Sequence, residues 1–155
     1  MNVNFVNPFI EAFNHVMGQI GFSEIKHGTL SVKRKQFTCT GVILKVGITG
    51  DLRGNVVYVI DSEEAKKIAS VMMMGAPITK LDAISRSSLS ELSNMLSANA
   101  ATFFSKSGVL IDISPPTFFQ GDDLEITMSS EMVLCIPFTA DGTTVEINIS
   151  FGKIN

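Results

Sequence analysis

The sequence predicts an α+β fold: a largely antiparallel sheet with helices covering one of its faces. Three observations predict it. Apolar spacing alternates between the helical period and the strand period in the order helix, strands, helix, helix, strands. No linker or low-complexity tract divides the 155 residues, a length suited to one compact domain over 1–155. A shift of 80 residues lays Glu11 on Glu91, Asn14 on Asn94 and Gly18 on Ala98, with strands and a glycine-containing hairpin following each helix. This echo rests on few identities, and it predicts a pseudo-duplicated unit of one helix plus antiparallel strands.

The elements follow in order. Asn7-Pro8 reads as a helix start, with Asn7 as N-cap and Pro8 in the first helical position. Phe9, Phe13, Val16 and Ile20 then recur at helical spacing up to Gly21. TLSVKRK, FTCTGVILKVGI and NVVYVI read as strands, with Gly50 to Gly54 as a hairpin loop. Asp61 or Ser62 caps a helix with acids in its first turn, and Gly75-Ala76-Pro77 stops it. A long helix runs from about Asp82 to Lys106. GVLIDI, LEITMS, MVLCIPFTA and TTVEINISFG return to strands, and Asp141-Gly142 makes the last hairpin turn.

Composition excludes several classes. Hydrophobic residues make up 45% and charged residues 17%, which is globular rather than disordered. A net charge of −3 argues against nucleic acid, which needs a basic face. No apolar run approaches the roughly 18 residues of a membrane span, and the N-terminus lacks the basic-then-apolar layout of a signal peptide. With no secretory signal, the reducing cytoplasm is the expected location. Cys39 and Cys135 sit in strand-like apolar runs and read as buried thiols. His15 and His27 lack metal-ligand spacing, so no metal is expected on this chain.

The long helix holds the strongest functional signal. At 100° per residue, Leu89, Leu92, Leu96, Ala100 and Phe103 form the core stripe. Glu91 and Asn94, three apart, project from roughly the opposite side among Ser87, Ser90, Ser97, Ala98 and Ala101. That face carries no long cation, and its short side chains let another molecule approach the backbone. The first helix repeats the arrangement with Glu11, Asn14 and Gly18. A second reading stands beside this one: Ser88 to Glu91 fits a capping box, in which Glu91 only satisfies a helix-start donor. Its weakness is that the helical pattern begins earlier, near Asp82.

The spacing Ser87, Glu91, Asn94, followed by Pro115 and Pro116, resembles the motif of the CheC/CheX/FliY chemotaxis phosphatases. That motif is Ser or Asp, three residues, Glu, two residues, Asn, and a Pro about 22 residues on. Here 20 and 21 residues intervene before the two prolines, one or two short of the pattern. Asn99, Ala100 and Thr102 are similar to the family's GNAxT, and NPFIEAFNHV to the N-terminal helix of CheX. The element order resembles the family over nearly the whole chain. CheC-type members carry two full motifs, whereas here Asn7 replaces the first Ser or Asp and no GNAxT follows. The chain therefore resembles the CheX branch, with Glu11 and Asn14 either a second site or a relic.

The resemblance implies a phosphatase acting on the aspartyl phosphate of a CheY-like response regulator. It implies that Asn94 orients the attacking water and Glu91 pairs with a lysine of the regulator. Ser87, Pro115 and Pro116 would support them, and Mg²⁺ would sit on the regulator rather than on this chain. It also implies a homodimer joined through edge strands. Two alternatives from other classes are a non-catalytic module that binds a regulator or a flagellar component, and a ligand-binding domain with a pocket between helices and sheet.

Several other stretches are expected to be structural. Gly47, Gly50 and Gly54 lack the lysine of a phosphate loop and fit a hairpin. Met72-Met73-Met74 reads as core filler at a helix end, and Lys33-Arg34-Lys35 as a solvated strand edge. QGDDL reads as a turn without calcium-loop spacing.

Overall fold

A computed structural model describes residues 3–152; the two residues before them and the three after, included in the expected domain over 1–155, lie outside the described range. The chain forms α1 (Asn7–Ile20), β1 (Ile25–His27), β2 (Ser31–Lys33), β3 (Gln36–Gly50) and β4 (Arg53–Ile60). It continues with α2 (Ser62–Met72), α3 (Ala83–Lys106), β5 (Ile111–Ile113), β6 (Thr117–Thr127), β7 (Val133–Ala140) and β8 (Thr143–Gly152). All eight strands join one antiparallel sheet, ordered β1-β7-β8-β4-β3-β5, with β2 also on β7 and β6 also on β3.

This pairing turns the faint sequence echo into a topological one. Each half supplies a helix, two strands and then a hairpin. β5 and β6 of the second half pair with β3 of the first, while β1 and β2 of the first half pair with β7 of the second. The hairpins meet at the centre through β4 and β8, Val57 opposite Asn148. Even the hairpin tips repeat. The Asp51 carboxylate accepts from the Leu110 N–H at 2.8 Å, and that of Asp141 accepts from the Glu24 N–H at 2.7 Å. The backbone bonds match as well: Asp51 N–H to Leu110 C=O and Asp141 N–H to Glu24 C=O, both 2.8 Å.

The helices pack on one face. Phe9, Phe13, Val16 and Met17 of α1 and Leu89, Leu92, Leu96 and Ala100 of α3 lie over alternating residues of the central strands, such as Val42, Leu44, Tyr58, Ile136 and Ile147. Phe5 and Phe9 before and in α1 meet Phe104 near the end of α3 edge-on, with centroids 6.1 and 5.9 Å apart, so α1 and α3 run antiparallel. Phe104, not Phe103, is the buried residue of that last turn; Phe103 is partly exposed. The sheet curls enough that its other face holds a second small core of Ile43, Val57, Ile126, Met128 and Val133.

Local corrections have physical causes. α1 grows out of a 3-10 turn at Val3–Val6, so the cap position falls on Val6 and Asn7 is already helical. The run TLSVKRK narrows to β2, a short strand β1 that the sequence reading does not give precedes it, and the first hairpin loop shrinks to Asp51-Leu52. QGDDL is not a turn. It lies inside β6, where a bulge opposite Cys39 to Gly41 absorbs Asp123 at φ 48°. Met72 packs against the core as expected, whereas Met74 is 97% exposed past the helix end. Lys33 is no free edge cation: its Nζ lies 3.0 Å from Glu146 and 4.4 Å from the Phe37 ring. Cys135 is buried and Cys39 only partly so, both as free thiols. Burial raises both thiols above their usual range, Cys135 to about 11, and Glu146 adds to the effect.

Candidate functional site

α3 begins where the sequence places it. The Asp82 carboxylate accepts from the Ser85 N–H at 2.9 Å and from its hydroxyl at 2.7 Å. Those bonds from Ser85 hold the Asp82 carboxyl below its ordinary value. With the cap at Asp82, Glu91 lies two turns inside the helix and is not part of a capping box. Ser88 bonds back to the Ile84 carbonyl instead, at 3.1 Å.

The outward face of α3 and the β5–β6 connection together form an open groove of about 840 Å³. Ser87, Glu91, Asn94, Pro115 and Pro116 all line it. Five residues that the sequence separates by up to 29 positions are thus brought to one surface. Glu91 and Ser87 are exposed and Asn94 is half-buried. None of the three side chains has a hydrogen-bond partner among the described residues, so their polar groups face the groove unspent. Six other polar side chains of α3 differ. Those of Ser85, Ser88, Ser93, Asn99, Thr102 and Ser105 bond to its own backbone.

The second wall is held by a close backbone approach. The Ser114 N–H donates to the Gly47 carbonyl at 2.9 Å, and the Gly47 N–H donates to the Ser114 hydroxyl oxygen at 2.7 Å. A Cβ on Gly47 would stand 3.2 Å from that oxygen, which is why a glycine from the sheet belongs there. Two consecutive prolines then fix φ for the next two residues, giving the groove a stiff rim beside Asn94.

Sequence reasoning missed five lining residues: Ala83, Arg86, Ile113, Ser114 and Phe118. Ser114 was signalled only by its place before two prolines. Arg86 corrects the expectation that this face has no long cation, since it borders the groove one residue before Ser87. Ser97 is also corrected: it points inward, 1% exposed, and its hydroxyl lies 2.8 Å from the buried Tyr58 hydroxyl.

The first helix does not reproduce this site. Glu11 lines a smaller cavity of about 330 Å³ with Pro8, Phe103 and Phe104, and Asn14 is exposed but not part of that lining. The loop that corresponds to Ser114-Pro115-Pro116 is Gly28-Thr29-Leu30, which has no proline. Among the described residues, no three His, Cys, Asp or Glu side chains converge as a metal site, and no helix is long and apolar enough to cross a membrane.

Comparison with known proteins agrees with this architecture. The family model for the chemotaxis phosphatase CheX matches residues 42–139. The CheY-P phosphatase CheX of Thermotoga maritima is 31% identical over 139 residues, covering 90% of this chain and 89% of that protein. A crystal structure of a CheX–CheY–BeF3–Mg²⁺ complex from Borrelia burgdorferi superposes with a TM-score of 0.82 at 26% identity, covering 98% of this chain and 100% of that one. The chemotaxis protein CheX of Desulfovibrio desulfuricans shares the fold, with a TM-score of 0.85 at 22% identity over 97% of this chain and 100% of its own. With a family match across most of its length and a relative aligned over nine-tenths of it, the chain belongs to the CheX family of chemotaxis phosphatases.

Proposed function

We propose that this chain hydrolyses the aspartyl phosphate of a CheY-like response regulator, with Asn94 and Glu91 as its working residues. The observation that carries the reading is the groove, where Ser87, Glu91, Asn94, Pro115 and Pro116 meet and the side chains of Ser87, Glu91 and Asn94 have no hydrogen-bond partner among the described residues. The relative from Thermotoga maritima is a CheY-P phosphatase, and that from Borrelia burgdorferi forms a complex with CheY.

The chemistry fits a site shared between two proteins. The groove offers no nucleophile–base pair, since Glu91 is its one carboxylate and no histidine or cysteine lines it. A carboxamide neither takes nor gives a proton, but its oxygen accepts and its NH₂ donates hydrogen bonds. Asn94 therefore holds water in line with the phosphorus, opposite the aspartyl oxygen that leaves, and supplies position rather than base strength. Glu91 binds the regulator's lysine and sets the depth of docking. Ser87 lies one turn before Glu91 and makes no bond to it in the free chain, so any support it gives Glu91 arises on docking. Pro115 and Pro116 keep the facing wall rigid. Mg²⁺ belongs to the regulator, where it neutralises phosphoryl charge; a single groove carboxylate is consistent with a metal held by the partner. Glu11 and Asn14 are a relic, and the chain works in the cytoplasm alongside its regulator.

The test is phosphate loss from a cognate phosphorylated regulator in Mg²⁺. Wild type and Asn14→Ala accelerate it. Asn94→Ala reduces the acceleration by about 10²-fold or more, with Tm nearly unchanged because the residue lacks internal bonds. No acceleration by wild type with any cognate regulator would leave a binding module as the better reading. We also infer a homodimer through edge strands, supported by the outer edge of β6, which pairs only with β3 among the described strands. Sedimentation at twice the chain mass is expected, and a monomer at working concentration would refute it.

A further inference from the structure

The groove carries opposite charges on either side of its asparagine. On the helix surface Glu91 lies to one flank of Asn94 and Arg86 to the other, with Ser90 between Arg86 and Asn94. Among the lining residues Arg86 is the one cation and Glu91 the one anion. Arg86 is exposed, and it forms no ion pair among the described residues. Its one side-chain hydrogen bond among the described residues is a marginal one from Nε to the Asp82 carbonyl at 3.4 Å. The Asp82 carboxylate, the nearest candidate counter-ion in sequence, is engaged with Ser85. The terminal nitrogens of the guanidinium thus remain free to meet an anionic partner.

Distance decides which anion. Arg86 stands eight residues before Asn94, about 12 Å along the helix axis, and helical side chains lean toward the N-terminus. It therefore falls short of a phosphoryl group positioned by Asn94 and faces the rim around it. A regulator that binds Mg²⁺ beside an aspartyl phosphate carries several carboxylates there. We propose that Arg86 is a docking residue that reads an acidic rim on the phosphorylated regulator and, with Glu91, fixes the orientation of the complex. A regulator turned end for end would set its acids against Glu91 and its lysine against Arg86, and like charges reject that pose. The proposal rests on the phosphatase reading but is separable from it.

The experiment measures kcat and KM for the phosphorylated regulator with wild type, Arg86→Ala, Arg86→Lys and Arg86→Glu between low and high NaCl. Arg86→Ala raises KM about two- to fivefold at low salt with kcat unchanged. Arg86→Glu raises it further, on the order of tenfold, and Arg86→Lys retains most of the wild-type value. The salt dependence of KM flattens in Arg86→Ala, and Tm stays constant across the series. A fall in kcat at constant KM, or no change in KM or salt slope, overturns the proposal. If wild type fails to accelerate hydrolysis, the phosphatase reading falls by itself. The same variants are then compared by Kd for a regulator loaded with beryllium fluoride and Mg²⁺, where the same ordering is required and equal Kd values, or no binding at all, overturn the role of Arg86.

Discussion

A phenol buried beneath a helix needs a polar partner or it destabilises the fold. Tyr58 is 1% exposed, and its hydroxyl meets that of Ser97 at 2.8 Å, one turn beyond Asn94 on the inner side of α3. Burial pushes the Tyr58 hydroxyl far above its usual pKa, only partly offset by Ser97. The pair therefore stays neutral and hydrogen-bonded throughout the working pH range. Tyr58→Phe removes one partner and leaves Ser97 to bond back to its own helix. The expected cost is about 1 kcal/mol, a drop in Tm of roughly 2–4 °C by calorimetry, with phosphatase activity retained because the outward face is untouched. An unchanged Tm would mean that the bond contributes nothing. The same residue shows where sequence reading reaches its limit. Glu91 and Asn94 are legible because a carboxylate and a carboxamide three apart among small residues depart from an ordinary exposed helix face. Ser97 is small like its neighbours, and only its contact with a strand 39 residues earlier reveals which way it points.

Elements with strong periodicity are legible and those set by pairing are not. α3 carries its own cap, stripe and basic last turn, so its limits follow from local chemistry. β6 does not. Its burial is mostly exposed along Thr117–Thr127, because it covers the outer part of a curled sheet rather than facing the helices. QGDDL therefore has the composition of a turn while its backbone is held by β3. The reason lies in β3, where Gly41 has φ 119° and a Cβ would stand 2.4 Å from the Ile60 carbonyl oxygen. The bulge there bends two strands at once, and its partner Asp123 donates its N–H to the Thr40 hydroxyl at 2.9 Å. The groove has the same character. Its α3 wall is readable from helical spacing, but its second wall depends on Gly47 meeting Ser114 across the sheet, a contact between residues 67 apart.

At the scale of the molecule the duplication has a consequence for folding. The two halves are interlaced, since each completes its sheet with strands from the other. The clasps of Asp51 on Leu110 and Asp141 on Glu24 cross from one half to the other in both directions. α1 of the first half and α3 of the second share one core with residues of both hairpins. Neither half can therefore bury its own apolar face, and a repeat that is visible in topology need not be a unit of stability. Urea is expected to unfold the chain in one transition. Tyr58 is the single tyrosine and there is no tryptophan, so intrinsic fluorescence reports the contact between β4 and α3, while far-UV circular dichroism reports all the helices and strands. The two curves should coincide, and a fragment spanning residues 1–76 should show no cooperative transition by either probe. Separated curves, or a fragment that unfolds cooperatively by itself, would show that the halves are independent and that the interlacing adds little. In that case α3 could be set differently against the sheet in each half-folded form, and the rigid presentation of Asn94 on which the proposed chemistry depends would no longer follow from the fold.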